Sequence, residues 1–292
     1  MALIDDILRA SRHRLAERKR RVSLAELQTK ASQAPRGDMG FRQALDWREF
    51  SLIAEIKNRS PSSGEMASSN LADALSVYDA TTSVSAISIL TDEDYFGNSI
   101  NDLRRAREAT RKPILRKDFI YDEYQVWEAR ANGADAVLVM AGLHDDDPPR
   151  ASRLIELARL LGMDVLFELG MQGTEMGELP RGAAVCGINA RRFDTSPLQL
   201  RARVGRFVGA ELSIDSDKHR LLRSVIPEDR VAVAESGIDD ASRLGELRAL
   251  KYRAALVGTA FLKKGVRLRD VVRSFHEAID APGGDRAVAT SP

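Results

Sequence analysis

Eight short apolar runs, each followed by a stretch of helical spacing, constrain this chain more than any other feature. The runs are Leu52–Lys57, Val84–Thr91, Pro113–Phe119, Ala134–Met140, Asp164–Leu169, Ala184–Asn189, Val231–Glu235 and Ala254–Gly258. Between and after them Asp102–Ala109, Glu123–Ala131, Arg150–Leu161, Asp239–Ala249 and Leu268–Ala281 have helical character. Strand and helix in strict alternation build a parallel sheet from βα units. Eight such units without a Gly/Pro-rich linker predict an α/β chain closed into one (β/α)8 TIM barrel. The competing open, doubly wound sheet usually carries a Gly-rich first turn, and neither G-x-G-x-x-G nor a Walker-type loop occurs. The 292 residues suit one barrel of roughly 250 residues with an extension.

That extension lies before the first strand, in residues 1–48. Ile4, Leu8 and Leu15 fall on one helical stripe, while Arg12, Arg14, Arg18, Lys19, Arg20 and Arg21 take mostly the other faces. Basic residues without interleaved aromatics read as a solvated helix face, not a nucleic-acid surface. One or two helices docked on the barrel are expected, covering its mouth. Residues 1–280 are expected to form a single domain that includes this extension. The connection Phe193–His219 is the longest and is expected to hold an extra helix or a lid. Residues 281–292, with Pro-Gly-Gly and no apolar period, are expected to be disordered.

Composition narrows the function classes. Forty-four basic and forty-three acidic residues leave a net charge of +1, so no global field selects nucleic acid or an anionic membrane. The apolar runs are too short to cross a bilayer, and the cytoplasm is the expected compartment. A single cysteine, Cys186, excludes a disulfide framework and a multi-cysteine zinc site, and reads as a small buried strand residue. His13, His144, His219 and His276 all avoid strand ends and read as exposed helix and loop residues. Asp145-Asp146-Asp147 reads as a solvated loop capping a helix that opens on Pro148, not as a metal site.

Parallel barrel strands are buried on both faces and should be apolar. Here charge intrudes repeatedly, always near a strand's carboxyl end. Alternation puts Leu52, Ala54 and Ile56 on one face and Ile53, Glu55 and Lys57 on the other. The apolar face must meet the helices, which sends Glu55 and Lys57 into the barrel mouth. The third strand carries Lys117, the fifth Glu168, the sixth Asn189 and the seventh Glu235-Ser236. Barrel enzymes place their chemistry at this face, and buried charges must be paired or employed. Gly237 after the seventh strand, with Gly258-Thr259 after the eighth, exposes backbone N–H groups where barrels hold a phosphate.

These residues lie within longer motifs. Glu55-Ile-Lys-Asn-Arg-Ser-Pro-Ser-Ser-Gly64 resembles the E-I-K-x-x-S-P-S-x-G signature of indole-3-glycerol phosphate synthases. Leu90-Thr91 with Tyr95-Phe96-Gly97, Leu115-Arg-Lys-Asp-Phe119 with Tyr124-Gln125, and Gly133-Ala-Asp-Ala136 are similar to further family motifs. So are Gly187-Ile-Asn189 with Arg191, Glu235-Ser-Gly-Ile238 and Val257-Gly258, and the family order holds from about residue 4 to about 275. The resemblance implies a lyase that converts 1-(2-carboxyphenylamino)-1-deoxyribulose 5-phosphate into indole-3-glycerol phosphate, carbon dioxide and water in tryptophan biosynthesis. It implies Lys117 as the acid for ring closure, and Lys57 as the group that binds the substrate carboxylate and assists dehydration. Glu168 is implied as base or as stabiliser of charge on the anilino nitrogen, with Glu55 fixing the lysines. Asn189 joins this set, while Ser60, Phe119, Arg191, Glu235 and Ser236 are implied to bind substrate. Gly237, Gly258 and Thr259 are implied to take the phosphate, with no metal or organic cofactor.

The chain departs from the family pattern at Ala190, Arg192 and Phe193, at Leu169-Gly170 and at Gly97-Asn98, and its connection after the sixth strand is long. No proposed catalytic side chain is removed, but the rim beside Asn189 and Arg191 is altered. Two alternatives follow: a related phosphosugar barrel such as phosphoribosylanthranilate isomerase, and a regulatory subunit that only binds its ligand. The isomerase needs neither the long extension nor the paired lysines, and a pure binder needs no acid–base set. The expected partner is a small phosphorylated substrate, on a monomer or weak homo-oligomer.

Overall fold

A computed structural model describes residues 3–60, 64–66, 71–144, 147–170, 179–191 and 214–281. Its centre is a closed barrel of eight parallel strands: β1 (Ser51–Ile56), β4 (Val84–Leu90), β5 (Ile114–Lys117), β6 (Ala136–Met140), β7 (Asp164–Leu169), β8 (Val185–Asn189), β9 (Val231–Glu235) and β10 (Ala254–Val257). Each pairs with the next, and β10 closes on β1. Two short strands absent from the sequence reading, β2 (Arg59–Ser60) and β3 (Gly64–Glu65), form an antiparallel hairpin in the loop after β1.

The alternation sorts side chains as the parallel pleat requires. Leu52, Ala54 and Ile56 pack outward with the helices, while Ile53 joins the inner cluster with Leu115, Leu138, Leu166 and Val233. The outer layer includes α4 (Leu71–Ala80), α5 (Ile100–Ala109), α6 (Glu123–Ala131) and α7 (Pro148–Leu160). Later come the short α8 (Asp217–Leu222), α9 (Arg243–Ala249) and α10 (Thr259–Leu262), then α11 (Leu268–Asp280). Helix α7 opens on Pro148 after Asp147, whose carboxylate pairs with Arg150 and Arg153. Cys186 is buried in the outer layer.

The extension holds three helices where one or two were expected, and they serve opposite ends of the barrel. In α1 (Leu3–Arg21), Ile4 and Ile7 are buried against Phe119, Met140, Tyr95 and Phe96 at the carboxyl ends of the strands. Arg14 pairs with Glu93 and Asp94 after β4, and Lys19 with Asp122 after β5. Helix α2 (Leu24–Gln33) starts with a Ser23–Glu26 capping box and buries Leu27 beside Leu15 and Tyr124. The chain then crosses to the other end. There α3 (Phe41–Asp46) inserts Phe41 and Leu45, both wholly buried, and the Arg42 N–H donates to Asp164 at the start of β7. The helices of the extension therefore do not all cover the mouth: α1 does so, while α3 plugs the floor. Within the expected long connection, 192–213 lie outside the described residues, as does the tail beyond Ala281.

Candidate active site

Every barrel strand delivers its carboxyl end to one mouth, and alternation aims the inner residues at a common volume. The outcome is a cavity of two lobes. One is walled by Leu90, Phe96, Phe119, Leu138 and Met140, with Asp118, Glu168 and Asn189 also lining it. The other is walled by Ile214, Glu235, Gly237, Gly258, Thr259 and their neighbours. Glu55, Lys57, Lys117, Arg191 and Ser236 line both and therefore mark the junction.

Lys117 Nζ lies 2.9 Å from Glu168 Oε2 and 2.8 Å from Glu235 Oε2. Burial opposes its charge, but Glu168, Glu235 and the more distant Glu55 overcome that and raise its pKa, so the ammonium persists at neutral pH. Glu235 shows the converse. Burial and the adjacent Glu168 push its carboxyl up to about 8, against the pull of Lys117. The second oxygens of Glu168 and Glu235 are both buried without a hydrogen-bond partner. Two carboxylates thus share one ammonium, with acceptor capacity left over.

Lys57 Nζ donates to Glu55 Oε1 at 2.6 Å and to Thr259 Oγ1 at 3.2 Å. Burial raises the carboxyl pKa of Glu55, yet Lys57 and Lys117 outweigh it and hold the group below its ordinary value. The expectation that Glu55 fixes both lysines is corrected here. Glu55 bonds Lys57 and influences Lys117 only through space, while Lys117 bonds Glu168 of β7 and Glu235 of β9. Glu235, expected merely to line the pocket, is a direct partner of Lys117.

Close packing explains the glycines. A Cβ on Gly187 would overlap the Glu235 carboxylate, and a Cβ on Gly258 would overlap that of Glu55. Gly258 is thus required by the close approach of the Glu55 carboxylate. Ser236 and Gly237 both have positive φ, +63° and +68°. A left-handed serine is strained, which turns two successive residues into the cavity after β9.

The remaining expected residues are placed as follows. Asn189 Oδ1 accepts from the Arg191 N–H at 2.9 Å, and burial lowers the Arg191 pKa. Phe119 is buried in the apolar wall. Ser60 lies in β2 opposite Gly64, on the loop after β1. Ala190, a departure from the family pattern, is buried; its carbonyl accepts from the Asp215 N–H, so the returning chain packs against it. Arg192 and Phe193 lie outside the described residues.

Some participants were not singled out from sequence. Leu138 and Met140 were legible as inner positions of β6 by period-two spacing. Ile214, which covers Gly237, had no local signal. The histidines need correction: His13 is exposed, but His144 and His219 are buried. His219 Nε2 lies 3.1 Å from the Glu235 carbonyl oxygen, and burial lowers its pKa. No helix among the described residues is long and apolar enough to cross a membrane.

Comparison with known proteins bears on this geometry. The family model described as "Indole-3-glycerol phosphate synthase" matches residues 4–274, including the helical extension. The chain is 41% identical over 270 residues to the indole-3-glycerol phosphate synthase of Nocardioides sp., covering 91% of this chain and 95% of that one. It is 35% identical over 289 residues to that of Arthrobacter sp., covering 96% and 99%. Among solved structures, the phosphoribosyl anthranilate isomerase from Thermococcus kodakaraensis superposes with a TM-score of 0.53 at 15% identity, over 80% of this chain and all of that one. At that identity the likeness is one of fold alone.

Proposed function

The chain belongs to the indole-3-glycerol phosphate synthase family, carboxy-lyases of tryptophan biosynthesis, and we propose that it closes the indole ring with Lys117 as acid. The observation that carries this reading is the position of the two ammonium groups. They stand where a lobe lined by Leu90, Phe96, Phe119, Leu138 and Met140 meets a glycine-lined lobe suited to phosphate. A substrate with an anilino ring at one end and a phosphate at the other would place its ribulose carbonyl between them.

In the proposed first step the ring carbon bearing the carboxylate attacks the carbonyl carbon. The C=O π pair takes a proton from Lys117 and becomes a hydroxyl. The bond to the carboxylate then breaks, carbon dioxide leaves, and its electron pair restores the aromatic ring. In the second step the hydroxyl departs as water with a proton supplied through Lys57. A proton on the carbon beside nitrogen passes to Glu168, forming the indole double bond. Before that transfer Glu168 also offsets the positive charge on nitrogen. Lys57, held by Glu55 and Thr259, grips the substrate carboxylate until it leaves. Lys117 leaves one carboxylate as the carbonyl oxygen arrives, a change eased because Glu235 readily takes a proton.

Asn189, Arg191, Ser60, Phe119 and Ser236 would hold the sugar and ring, while Gly237, Gly258 and Thr259 take the phosphate. Helix α1 over the mouth would exclude water. On this reading residues 1–280 act as one domain, as a monomer or weak homo-oligomer in the cytoplasm, without metal or organic cofactor. The test is a fluorescence assay for indole-3-glycerol phosphate formed from the ribulose substrate. Turnover by the parent and its loss in Lys117→Ala support the assignment; equal rates would reject it.

A further inference from the structure

The chemistry above uses the inner face of β5 and leaves its outer face unexplained. Arg116 stands there, 1% exposed, in the layer between sheet and helices where Ile114 and Val137 are the rule. Burying a guanidinium costs several kcal/mol unless acceptors surround it. They do. Nη2 is 2.8 Å from Asp118 Oδ2 and 2.9 Å from Glu128 Oε2, Nη1 donates to the Gln125 carbonyl at 2.8 Å, and Nε donates to Thr91 Oγ1 at 3.1 Å.

The lattice reaches the residues on either side of Asp118. Thr91 Oγ1 donates to Asp118 Oδ2 at 2.7 Å, and the Thr91 N–H donates to the Lys117 carbonyl. Asp118 Oδ1 accepts from the Phe119 N–H at 2.8 Å, while Gln125 Nε2 donates to the Phe119 carbonyl at 2.8 Å. Both peptide groups of Phe119 are therefore fixed. Glu128 carries the lattice further, since its Oε1 lies 2.9 Å from Arg18 Nε in α1. The Tyr124 hydroxyl bonds the carbonyls of Arg18 and Val22 in the same region.

We propose that Arg116 is a positioning residue for the reaction: through Asp118 it sets the strand end that carries Lys117 and Phe119, and through Glu128 it ties that end to α1. The inference rests on Lys117 being the acid. A rotation at the end of β5 moves the inward ammonium and the outward guanidinium together, so the hub holds the acid in register with Glu168 and Glu235. Displacing a reacting group by ~1 Å costs about 100-fold in rate.

The experiment compares Arg116→Lys and Arg116→Met with the parent and with Lys117→Ala, in the full chain and well below each Tm. Positioning predicts that both Arg116 variants lose kcat by roughly 10- to 100-fold with KM changed less than threefold, and that lysine recovers Tm better than kcat. Purely structural packing predicts lower Tm with parental kcat, and that result overturns the proposal. Thr91→Val decides the matter if both Arg116 variants fail to fold. It keeps the shape and removes the hydroxyl between Arg116 and Asp118, so a kcat loss of about threefold or more supports the idea and a parental kcat overturns it. Arg18→Ala and Glu128→Gln should each lower kcat and should not add when combined; strictly additive losses would refute the link to α1. Parental turnover by Lys117→Ala would instead remove the underlying assignment of the acid.

Discussion

Replacing Lys117 by alanine removes the proposed acid and also strips two buried carboxylates of their shared cation. At 2.8 and 2.9 Å each attraction is about 6 kcal/mol at an effective dielectric of ~20, most of it offsetting the burial of the charges. Removing one partner leaves that burial uncompensated, at about 3–5 kcal/mol. With roughly 2–4 °C per kcal/mol for a chain of this size class, Tm at pH 8 should fall by roughly 6–20 °C. The deficit should depend on pH. Glu235 is already raised to about 8 by burial and Glu168, and loss of the ammonium raises it further above its unfolded value. Above pH 8 the folded variant still holds a proton that the parent's Glu235 has lost, so the Tm gap is steady below about pH 7 and widens as pH rises through 8. Turnover, in contrast, should stay depressed by about two to four powers of ten at every pH where both proteins are folded. The assays are thermal melts at about pH 7 and about pH 9.5 beside kcat and KM from product fluorescence. A Tm gap that ignores pH would refute the shared-cation argument, and a near-parental kcat would refute the acid.

Lys57→Ala should raise KM and lower kcat together, because its proposed role is to grip a carboxylate that later leaves; an isolated kcat effect in steady-state kinetics would contradict that. Gly187→Ala should push the Glu235 carboxylate off Lys117, cutting kcat by roughly 10- to 100-fold, while overpacking costs only about 1–3 kcal/mol in a denaturant melt. Deleting residues 1–22 should leave a folded barrel with KM raised about tenfold or more, whereas deletion through residue 46 also removes Phe41 and Leu45 and should abolish cooperative melting. Asp92, raised to about 6 chiefly by burial, is destabilising when ionised; Asp92→Asn should therefore raise Tm at pH 8, with the gain fading as pH falls through 6.

The site was legible where one physical rule left no alternative. A strand buried on both faces has no place for Glu55, Lys57, Lys117 or Glu168 except the open mouth, so period-two alternation located them without any knowledge of the fold's exact closure. Pairing is different, because it depends on stagger around the barrel. Glu55 is two residues from Lys57 and reaches it within one strand, but Lys117 meets Glu168 and Glu235 from strands separated by 51 and 118 positions. No local pattern encodes that choice. Arg116 shows the limit of the alternation rule itself. Its phase points outward, where charge is unexpected, and only the packing of α6 brings Gln125 and Glu128 within reach. The buried His219 is hidden for the same reason, since the Glu235 carbonyl and the Tyr252 ring that meet it come from later parts of the chain. The extension follows this division too. Its amphipathic stripe announced a docked helix, yet Ile7 and Phe41 are equally apolar and equally buried at opposite ends of the barrel. Hydrophobicity states that a residue must be covered; the partners on the far side decide where, and here that decision sets one helix over the mouth of the barrel and the other into its floor.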